Sequence, residues 1–261
     1  MIVLGQDSPN KRKISLIPKS HPRATSLLIR EKLIEGFDNG LVAKEGLIAH
    51  GRGETFDYLL GEKTSKNAKK AIKAAALALI LAKSPVISVN GNIAALCAKE
   101  IVQLARIVNA KIEVNLFYSD NKRKQNIVRL LKKNGAKKIF GLDPRSARRI
   151  SGLDSPRRVV DKDGIYAADT VLVPLEDGDR TIALKKAGKQ VITFDLNPLS
   201  RTAQTADITI VDNVVRGLKD LIKECKKLSK NPEKIQFDNK KNLSEAITEI
   251  RKNLARRARH A

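Results

Sequence analysis

The sequence predicts an α/β fold in which a mainly parallel, Rossmann-like sheet has helices on both faces. Short apolar runs alternate with helix-patterned segments along most of the chain. Several of these runs are apolar on consecutive residues, as expected for strands that are covered on both faces. With 261 residues, 42% of them hydrophobic, the chain can bury one large core. We therefore predict a single domain over residues 1–261.

Further helical segments are predicted before and after the α/β core in the sequence. Residues 14–64 form an N-terminal helix and a loop rich in glycine and arginine. The helix has Ser20 as a possible cap and Pro22 in its first turn, and it stops at Gly40. Residues 230–261 form a connector followed by an amphipathic helix from Ser244 to about Arg257.

The α/β core is predicted over residues 65–229. Its strands are expected at 85–90, 112–117, 137–142, 170–175, 190–195 and 207–212. Its helices are expected at 65–83, 93–108, 121–134 and 179–187, and a long polar helix follows Asn213. Ligands of such folds bind beyond the carboxyl ends of the strands, so those positions contain the candidate site.

The net charge of +23 raises the alternative of an RNA-binding protein. Residues 121–160 hold thirteen lysines and arginines against two acids, and residues 215–261 hold fourteen against six. Aromatic residues that stack on bases are scarce in both segments, which favours solvated helix faces. We expect no nucleic-acid partner.

Cysteine usage and hydropathy predict a cytoplasmic protein. Cys97 and Cys225 lie far apart without the spacing of a zinc site or a disulfide framework. The N-terminus lacks the apolar core of a signal peptide, and the apolar run over residues 74–82 is too short to span a bilayer. We therefore expect no membrane association.

Two of the predicted strand ends carry candidate catalytic side chains. Asn90 lies between a strand and a helix, where free backbone N–H groups suit an anion, and an ordinary capped turn is the alternative. Further along, Glu176, Asp177, Asp179 and Arg180 cluster at the start of a helix. One acid is expected to cap that helix, and the others could orient a magnesium ion or accept hydrogen bonds from hydroxyl groups.

The next strand end suggests a nucleotide. Asp195 occupies the position at which doubly wound folds hold ribose hydroxyls, and a capped loop is the alternative. Asn197 can present an amide to a base edge, while Arg201 and Thr202 can bind phosphate oxygens. Asn213 closes the following strand as a helix cap, from which a nucleotide contact is also plausible.

The stretch "HGRGETFDYLLGEKT" begins at His50 and places Arg52 between two glycines. Glycine neighbours would let the guanidinium approach an anion closely. Arg23 and Arg30, from the preceding helix, could complete a cationic group that faces the strand-end carboxylates. For His50 the alternative is a satisfied structural histidine.

Long blocks of this sequence resemble the archaeal phosphopantothenate synthetases, or 4-phosphopantoate:β-alanine ligases. The blocks are "IPKSHPR", "GLIAHGRGETFDYLLGEKT", "VISVNGNIAALC", "IEVNLFY", and "GIYAADTVLVPLEDGDRT" through "FDLNPLSRTAQTADITIVDN". They cover most of residues 17–214. The segments around 143–160 and beyond 230 carry less of the resemblance and could vary without changing the chemistry.

The resemblance implies a homodimeric, ATP-dependent ligase of coenzyme A biosynthesis that releases AMP and diphosphate through an acyl adenylate. Magnesium is expected with the ATP, without assigned ligands. The positions that resemble the family's ATP-binding residues are Arg30, Arg52, Asp195, Leu196, Asn197, Arg201, Thr202, Asn213 and Val214. The candidate residues for phosphopantoate, metal and amine binding are His50, Arg23, Asn90 and the Glu176–Arg180 cluster. The catalytic candidates are His50, Arg52, Asn90, Asp179 and Arg180.

Two other classes of function stay open at this point. An RNA-binding protein would use the basic segments but leaves the acidic strand-end cluster without a purpose. A nicotinamide-dependent oxidoreductase would use a similar fold, but the GxGxxG pattern after a first strand is missing.

Overall fold

A computed structural model of the chain describes residues 17–259 apart from residues 19, 119 and 234. The predicted boundary positions 14–16 and 260–261 lie outside the described residues. The described strands are β1 (Pro85–Val89), β2 (Lys111–Val114), β3 (Ile139–Phe140), β4 (Ala147–Arg149), β5 (Val159–Asp161), β6 (Thr170–Leu172), β7 (Gln190–Phe194) and β8 (Ile208–Ile210). Six of them form a parallel sheet in the order β3-β2-β1-β6-β7-β8, and β4 pairs with β5 in an antiparallel hairpin.

Helices precede, connect and follow these strands. They are α1 (Ala24–Asp38), α2 (Lys44–Leu60), α3 (Lys66–Leu81), α4 (Gly91–Ile107), α5 (Asn121–Lys133), α6 (Gly178–Lys186), α7 (Arg201–Thr205), α8 (Val214–Leu228) and α9 (Asn239–Ala258). Short 3₁₀ turns lie at Pro144–Ser146, Pro156–Arg158 and Ile165–Ala167. No described helix is both long enough and apolar enough to cross a bilayer. The cellular location stays a prediction.

Helices cover both faces of the sheet, as the sequence predicts. Ile87 and Val89 of β1 belong to a large core that also contains apolar residues of α1, α3, α4, α5 and α8. Val86 points to the opposite face, where it joins α6 and the β4–β5 hairpin in a second core. Because each strand is buried on both sides, its apolar residues are consecutive rather than alternating. This pattern is what made the six parallel strands recognisable.

The N-terminal region differs from the prediction in two ways. Helix α1 begins at Ala24, and its N-cap is Arg23 without a side-chain cap, so Ser20 is not the cap. The predicted glycine- and arginine-rich loop is wrong, because those residues form helix α2. The glycines on either side of Arg52 are helical, and Gly61, with φ of +87°, is the residue that ends the helix.

The C-terminal helix begins earlier than predicted. Asp238 caps α9 by accepting a hydrogen bond from the N–H of Lys241, so the helix starts at Asn239 and the connector is correspondingly shorter. Leu243 and Ala246 of α9 pack with Leu60 of α2 in a third core. The chain's own core therefore covers the apolar face of this helix around Leu243 and Ala246, whereas Leu254 further along is 47% exposed.

A buried carboxylate at the end of β2 holds the segment between β5 and β6. Glu113 is fully buried and accepts hydrogen bonds from the N–H groups of Asp161 (3.1 Å) and Ile165 (2.7 Å). Burial raises the pKa of Glu113 to about 7, although the two N–H donors and the positive charge of Arg180 oppose this rise. The folded chain therefore binds a proton between about pH 4.5 and pH 7 that the unfolded chain releases.

We expect stability to fall as the pH rises through this window. The contribution of Glu113 is fully present below the unfolded pKa and is lost as the pH passes the folded pKa. A shift of this size corresponds to roughly 3 kcal/mol of unfolding free energy between pH 4.5 and pH 8. In urea unfolding over this range, the wild-type stability should fall by roughly 3 kcal/mol relative to that of Glu113→Gln, whose amide does not titrate, so the two curves separate as the pH rises. The exposed-site variant Glu245→Gln is the control, and parallel curves for Glu113→Gln would contradict the prediction.

Candidate active site

Helices α1 and α2 build a cluster of four polar side chains, Arg23, Arg30, Glu54 and Tyr58. The Nε of Arg30 donates to both carboxylate oxygens of Glu54 at 3.0 and 2.9 Å, and its Nη2 donates to the Tyr58 hydroxyl at 3.1 Å. The same hydroxyl accepts from Nη2 of Arg23 at 3.2 Å and donates to Glu54 at 2.5 Å. We call this group the arginine–tyrosine cluster.

His50 lies one turn before Glu54 on α2, beside the arginine–tyrosine cluster. Burial and the positive charge of Arg30 lower the pKa of His50, while the charges of Glu54 and Asp57 oppose this effect. Its imidazole is therefore neutral at pH 7. The buried Nε2 atom makes no hydrogen bond to any residue that the structure describes. His50 thus keeps an unused polar atom near Arg30, whereas buried polar atoms are usually hydrogen-bonded.

A second network joins α2 to the carboxyl end of β8. Arg216 donates to both carboxylate oxygens of Asp57, at 3.0 and 2.6 Å, and to Asp212 at 2.7 Å. The side chain of Asn213 donates to Asp57 at 3.0 Å and caps α8 by accepting from the N–H of Val215. Asn213 is therefore the predicted cap, and its amide is already engaged on both sides. The network fixes α2 against the strand ends.

The loop after β7 folds around Asp195. This carboxylate accepts hydrogen bonds from the N–H of Asn197, at 2.9 Å, and from the Ser200 hydroxyl. Burial raises the pKa of Asp195, whereas these two hydrogen bonds and the positive charge of Arg52 oppose the rise. Arg52 thus lies close enough to act on Asp195. The structure brings these two predicted nucleotide-binding residues together.

The remaining predicted nucleotide-binding residues differ in the solvent exposure of their side chains. Leu196, Thr202 and Val214 are buried, so their side chains are not open to a ligand. The Thr202 hydroxyl donates to the carbonyl of Glu176 at 2.9 Å. Arg201 is exposed and pairs with Asp179 at 2.9 Å. This ion pair connects the Asp195 loop to the start of α6.

The turn at Asn90 is held by its own side chain. Asn90 caps α4 by accepting from the N–H of Ile93, and its amide donates to the carbonyls of Pro174 and Leu175. A Cβ added at Gly91 would lie 2.3 Å from the carbonyl oxygen of Leu41, so the chain covers this side of the turn. Asn90 therefore ties the ends of β1 and β6 together, as the capped-turn alternative states.

The acidic cluster at the start of α6 is bound by arginines. The Glu176 carboxylate, whose side chain is 2% exposed, pairs with both Arg157 and Arg180. Arg180 is fully buried and also donates to the Ser88 hydroxyl at 3.2 Å. Asp177 caps α6 and accepts from Arg157 at 3.1 Å. Both oxygens of Glu176 are therefore bound to arginines, and its part in orienting a metal ion or accepting a hydrogen bond from a hydroxyl group stays a prediction.

An acidic cleft of about 280 Å³ opens beside this cluster. Its lining includes Asp154, Asp177 and Asp179 beside the ring of Phe117. Within the described part of the chain, no group of three or more acidic, histidine or cysteine side chains is placed to hold a metal ion. The cleft presents carboxylates next to the Arg201–Asp179 pair, at the same edge of the sheet as the arginine-bearing helices.

The sequence matches a model of the phosphopantothenate/pantothenate synthetases over residues 67–253. It is 53% identical to a 4-phosphopantoate–β-alanine ligase of Thermococcus kodakarensis, with 93% of this chain and 95% of that protein covered. It is 49% identical to a protein of the same name from Methanosarcina mazei, with 91% and 95% covered. The chain belongs to the phosphopantothenate/pantothenate synthetase family.

Membership of the synthetase family confirms the prediction of a ligase and does not support the RNA-binding protein or the oxidoreductase. The contacts described above add residues that sequence reasoning missed. Arg157 lies in the segment that was expected to matter least, yet it reaches the strand-end acids. Glu54, Tyr58 and Asp57 lie within the quoted stretch of α2, and their spacing of three and four residues signals one helix face once a helix is assumed.

Proposed function

We propose that this synthetase joins 4-phosphopantoate to β-alanine and forms 4′-phosphopantothenate, AMP and diphosphate from ATP. The observation that carries the proposal is the relatives' shared name at 49–53% identity over at least 91% of the chain. The site geometry supports it, because Arg52 lies beside the Asp195 loop at the edge where parallel sheets bind nucleotides.

The reaction requires that three anionic groups meet, namely the carboxylate and the phosphate of 4-phosphopantoate and the triphosphate of ATP. The carboxylate of 4-phosphopantoate attacks the α-phosphorus of ATP, and the bond from that phosphorus to the bridging oxygen of diphosphate breaks. The neutral amine of β-alanine then attacks the acyl carbon, AMP leaves with the electron pair of its bond to that carbon, and the nitrogen releases one proton to give the amide. Fixed cations that hold the phosphates and the developing charge supply the main catalytic effect.

The residues can be assigned to this reaction from where they lie. Arg30 and Arg52 of α1 and α2 contact the triphosphate, and Arg201 contacts phosphate from the Asp195 loop. Asp195 holds the ribose, since each of its carboxylate oxygens accepts one hydrogen bond at present and has a second lone pair for a ribose hydroxyl. Asn197 contacts the adenine. Thr202 adds its backbone N–H to the phosphate contacts. The nucleotide site is completed by Asn213 and by the backbone of Leu196 and Val214.

The remaining candidate side chains are assigned to 4-phosphopantoate and β-alanine. Arg23 and His50 are assigned to 4-phosphopantoate, since both lie in or beside the arginine–tyrosine cluster. Asp179 and the acidic cleft are assigned to the amine of β-alanine, because carboxylates bind its ammonium group and can accept the proton that the nitrogen loses before it attacks. Asn90 and Arg180 act through the strand ends and the acids that they hold, since their side chains are engaged there.

Magnesium fits this site as a companion of ATP. Protein sites for Mg²⁺ commonly use one or two carboxylates together with substrate phosphates, and Asp179 is an exposed carboxylate of the cluster. When bound, the ion neutralises phosphate charge. A homodimer and a cytoplasmic location complete the proposal.

An assay of products tests the proposed reaction. With 4-phosphopantoate, β-alanine and ATP, we expect AMP and diphosphate in equal amounts. Without β-alanine, we expect labelled diphosphate to exchange into ATP only when 4-phosphopantoate is present, because the adenylate then forms reversibly. Stoichiometric ADP, or exchange that does not depend on 4-phosphopantoate, would contradict the adenylate mechanism.

A further inference from the structure

We propose that Glu54 and Tyr58 are positioning residues that hold Arg23 and Arg30 ready for two different anionic substrates; this inference rests on the proposed function. The Tyr58 hydroxyl lies between the two guanidinium groups, 3.2 Å from Nη2 of Arg23 and 3.1 Å from Nη2 of Arg30. One oxygen atom therefore links the arginine assigned to 4-phosphopantoate with the arginine assigned to ATP.

The hydrogen bonds of Tyr58 leave its hydroxyl group no spare capacity. A phenol has one proton to donate and two lone pairs to accept with. The proton goes to Glu54 at 2.5 Å, and the two lone pairs receive Arg23 and Arg30. The hydroxyl is thus saturated by its neighbours and is not itself free to bind a substrate. Its role is to orient the two arginines.

Glu54 fixes the direction of this arrangement. Its carboxylate is 6% exposed and binds the Nε of Arg30 through both oxygens. The hydrogen bonds to Glu54, together with its negative charge, raise the pKa of the Arg30 guanidinium, whereas burial opposes this rise. With Glu54 ionised, the Tyr58 proton points to the carboxylate and the lone pairs point to the arginines.

The anchored arginines keep donors for ligands. A guanidinium has five N–H groups, and the recorded contacts of Arg30 use its Nε and one terminal nitrogen. Arg23 is exposed, and its guanidinium lies 5.9 Å from the centre of the Tyr58 ring. An arginine that is already oriented loses less side-chain entropy when it binds an anion. The cluster therefore preorganises two phosphate-binding groups at once.

The test is Tyr58→Phe, which removes the hydroxyl and keeps the ring. We expect KM to rise about tenfold for ATP and about tenfold for 4-phosphopantoate, because each arginine loses a charged hydrogen bond. KM for β-alanine should stay unchanged. Calorimetric titration of ATP into the protein without the other substrates should show the same loss of affinity. Glu54→Gln should shift the same two constants and leave the third.

The matched control is Tyr166→Phe, at a half-exposed tyrosine whose backbone carbonyl, and not its ring, holds Lys189. Unchanged KM values for both ATP and 4-phosphopantoate in an active Tyr58→Phe enzyme would overturn this inference alone. A drop in melting temperature with all three KM values raised would also overturn it, because that result marks a general structural role. A wild-type protein without AMP-forming ligation would overturn the proposed function and this inference together.

Discussion

Replacing Arg52 by lysine should lower turnover about a hundredfold and leave the melting temperature unchanged. Arg52 is exposed on α2, and its guanidinium makes no hydrogen bond or ion pair with the residues that the structure describes. Its charge nevertheless acts on Asp195 in the neighbouring loop. Lysine keeps the charge but loses the planar two-pronged donor geometry, and misplacement by about 1 Å can cost on the order of a hundredfold in rate.

Two further variants separate the explanations for this result. Arg251→Lys, at an exposed position of α9, is the matched control and should keep full turnover. Gly53→Ala tests the helix: a Cβ there would meet Leu196 at an ordinary 3.8 Å. Because this glycine is helical, alanine should raise stability by about 0.5–1 kcal/mol. Normal turnover in Arg52→Lys would show that Arg52 is a surface residue without a role in catalysis. Joint loss of turnover and stability would show that its role is structural.

The sequence predicted the sheet well because burial dictates its pattern. Parallel strands covered on both faces need consecutive apolar residues, and each of the six predicted runs overlaps a strand of the parallel sheet. Polar residues at the strand ends were also recognised, since Asp177 and Asn213 cap helices as a local rule predicts. The β4–β5 hairpin was missed, because its strands have three residues each and one of them reads Ala-Arg-Arg.

The glycines of α2 are the reason why the sequence did not predict this helix. Two glycines around Arg52 lower helix propensity by roughly 1 kcal/mol each, which favours a loop locally. Tertiary contacts outweigh this cost: Leu60 packs against the third core, while Glu54 and Asp57 are held by Arg30 and Arg216. A single sequence does not reveal these long-range partners. The backbone of this stretch was therefore predicted wrongly, and the grouping of Arg23, Arg30, His50 and Arg52 in one cationic site stays a prediction.

Within the site, substitutions in the buried ion network at the start of α6 should lower the free energy of unfolding the most. Glu176→Gln should lower the free energy of unfolding by about 3–5 kcal/mol, since it removes the carboxylate between two buried guanidinium groups. Burial lowers the pKa of Arg157 and of Arg180 to about 10 each, so both stay charged at pH 7. The hydroxyl of Ser88 offers Arg180 a hydrogen-bond acceptor but no charge.

Urea unfolding at pH 7 measures this effect, and Glu245→Gln provides the control. Glu245 pairs with Lys70 at 3.0 Å on the surface, where such pairs contribute about 0–1 kcal/mol. A loss in Glu176→Gln no larger than that of the control would show that the buried carboxylate is not required.

The partners of Glu176 can be identified by a double-mutant cycle with Arg157→Met. In the wild type, removing Arg157 takes away a buried partner of Glu176 and of Asp177. In the Glu176→Gln background, the same change also relieves the repulsion between two uncompensated guanidinium groups. We therefore expect the second substitution to cost at least 1 kcal/mol less than in the wild type, whereas independent sites add to within about 0.5 kcal/mol. Strict additivity would mean that Arg157 stabilises the cleft through Asp177 and Phe117, and not through Glu176.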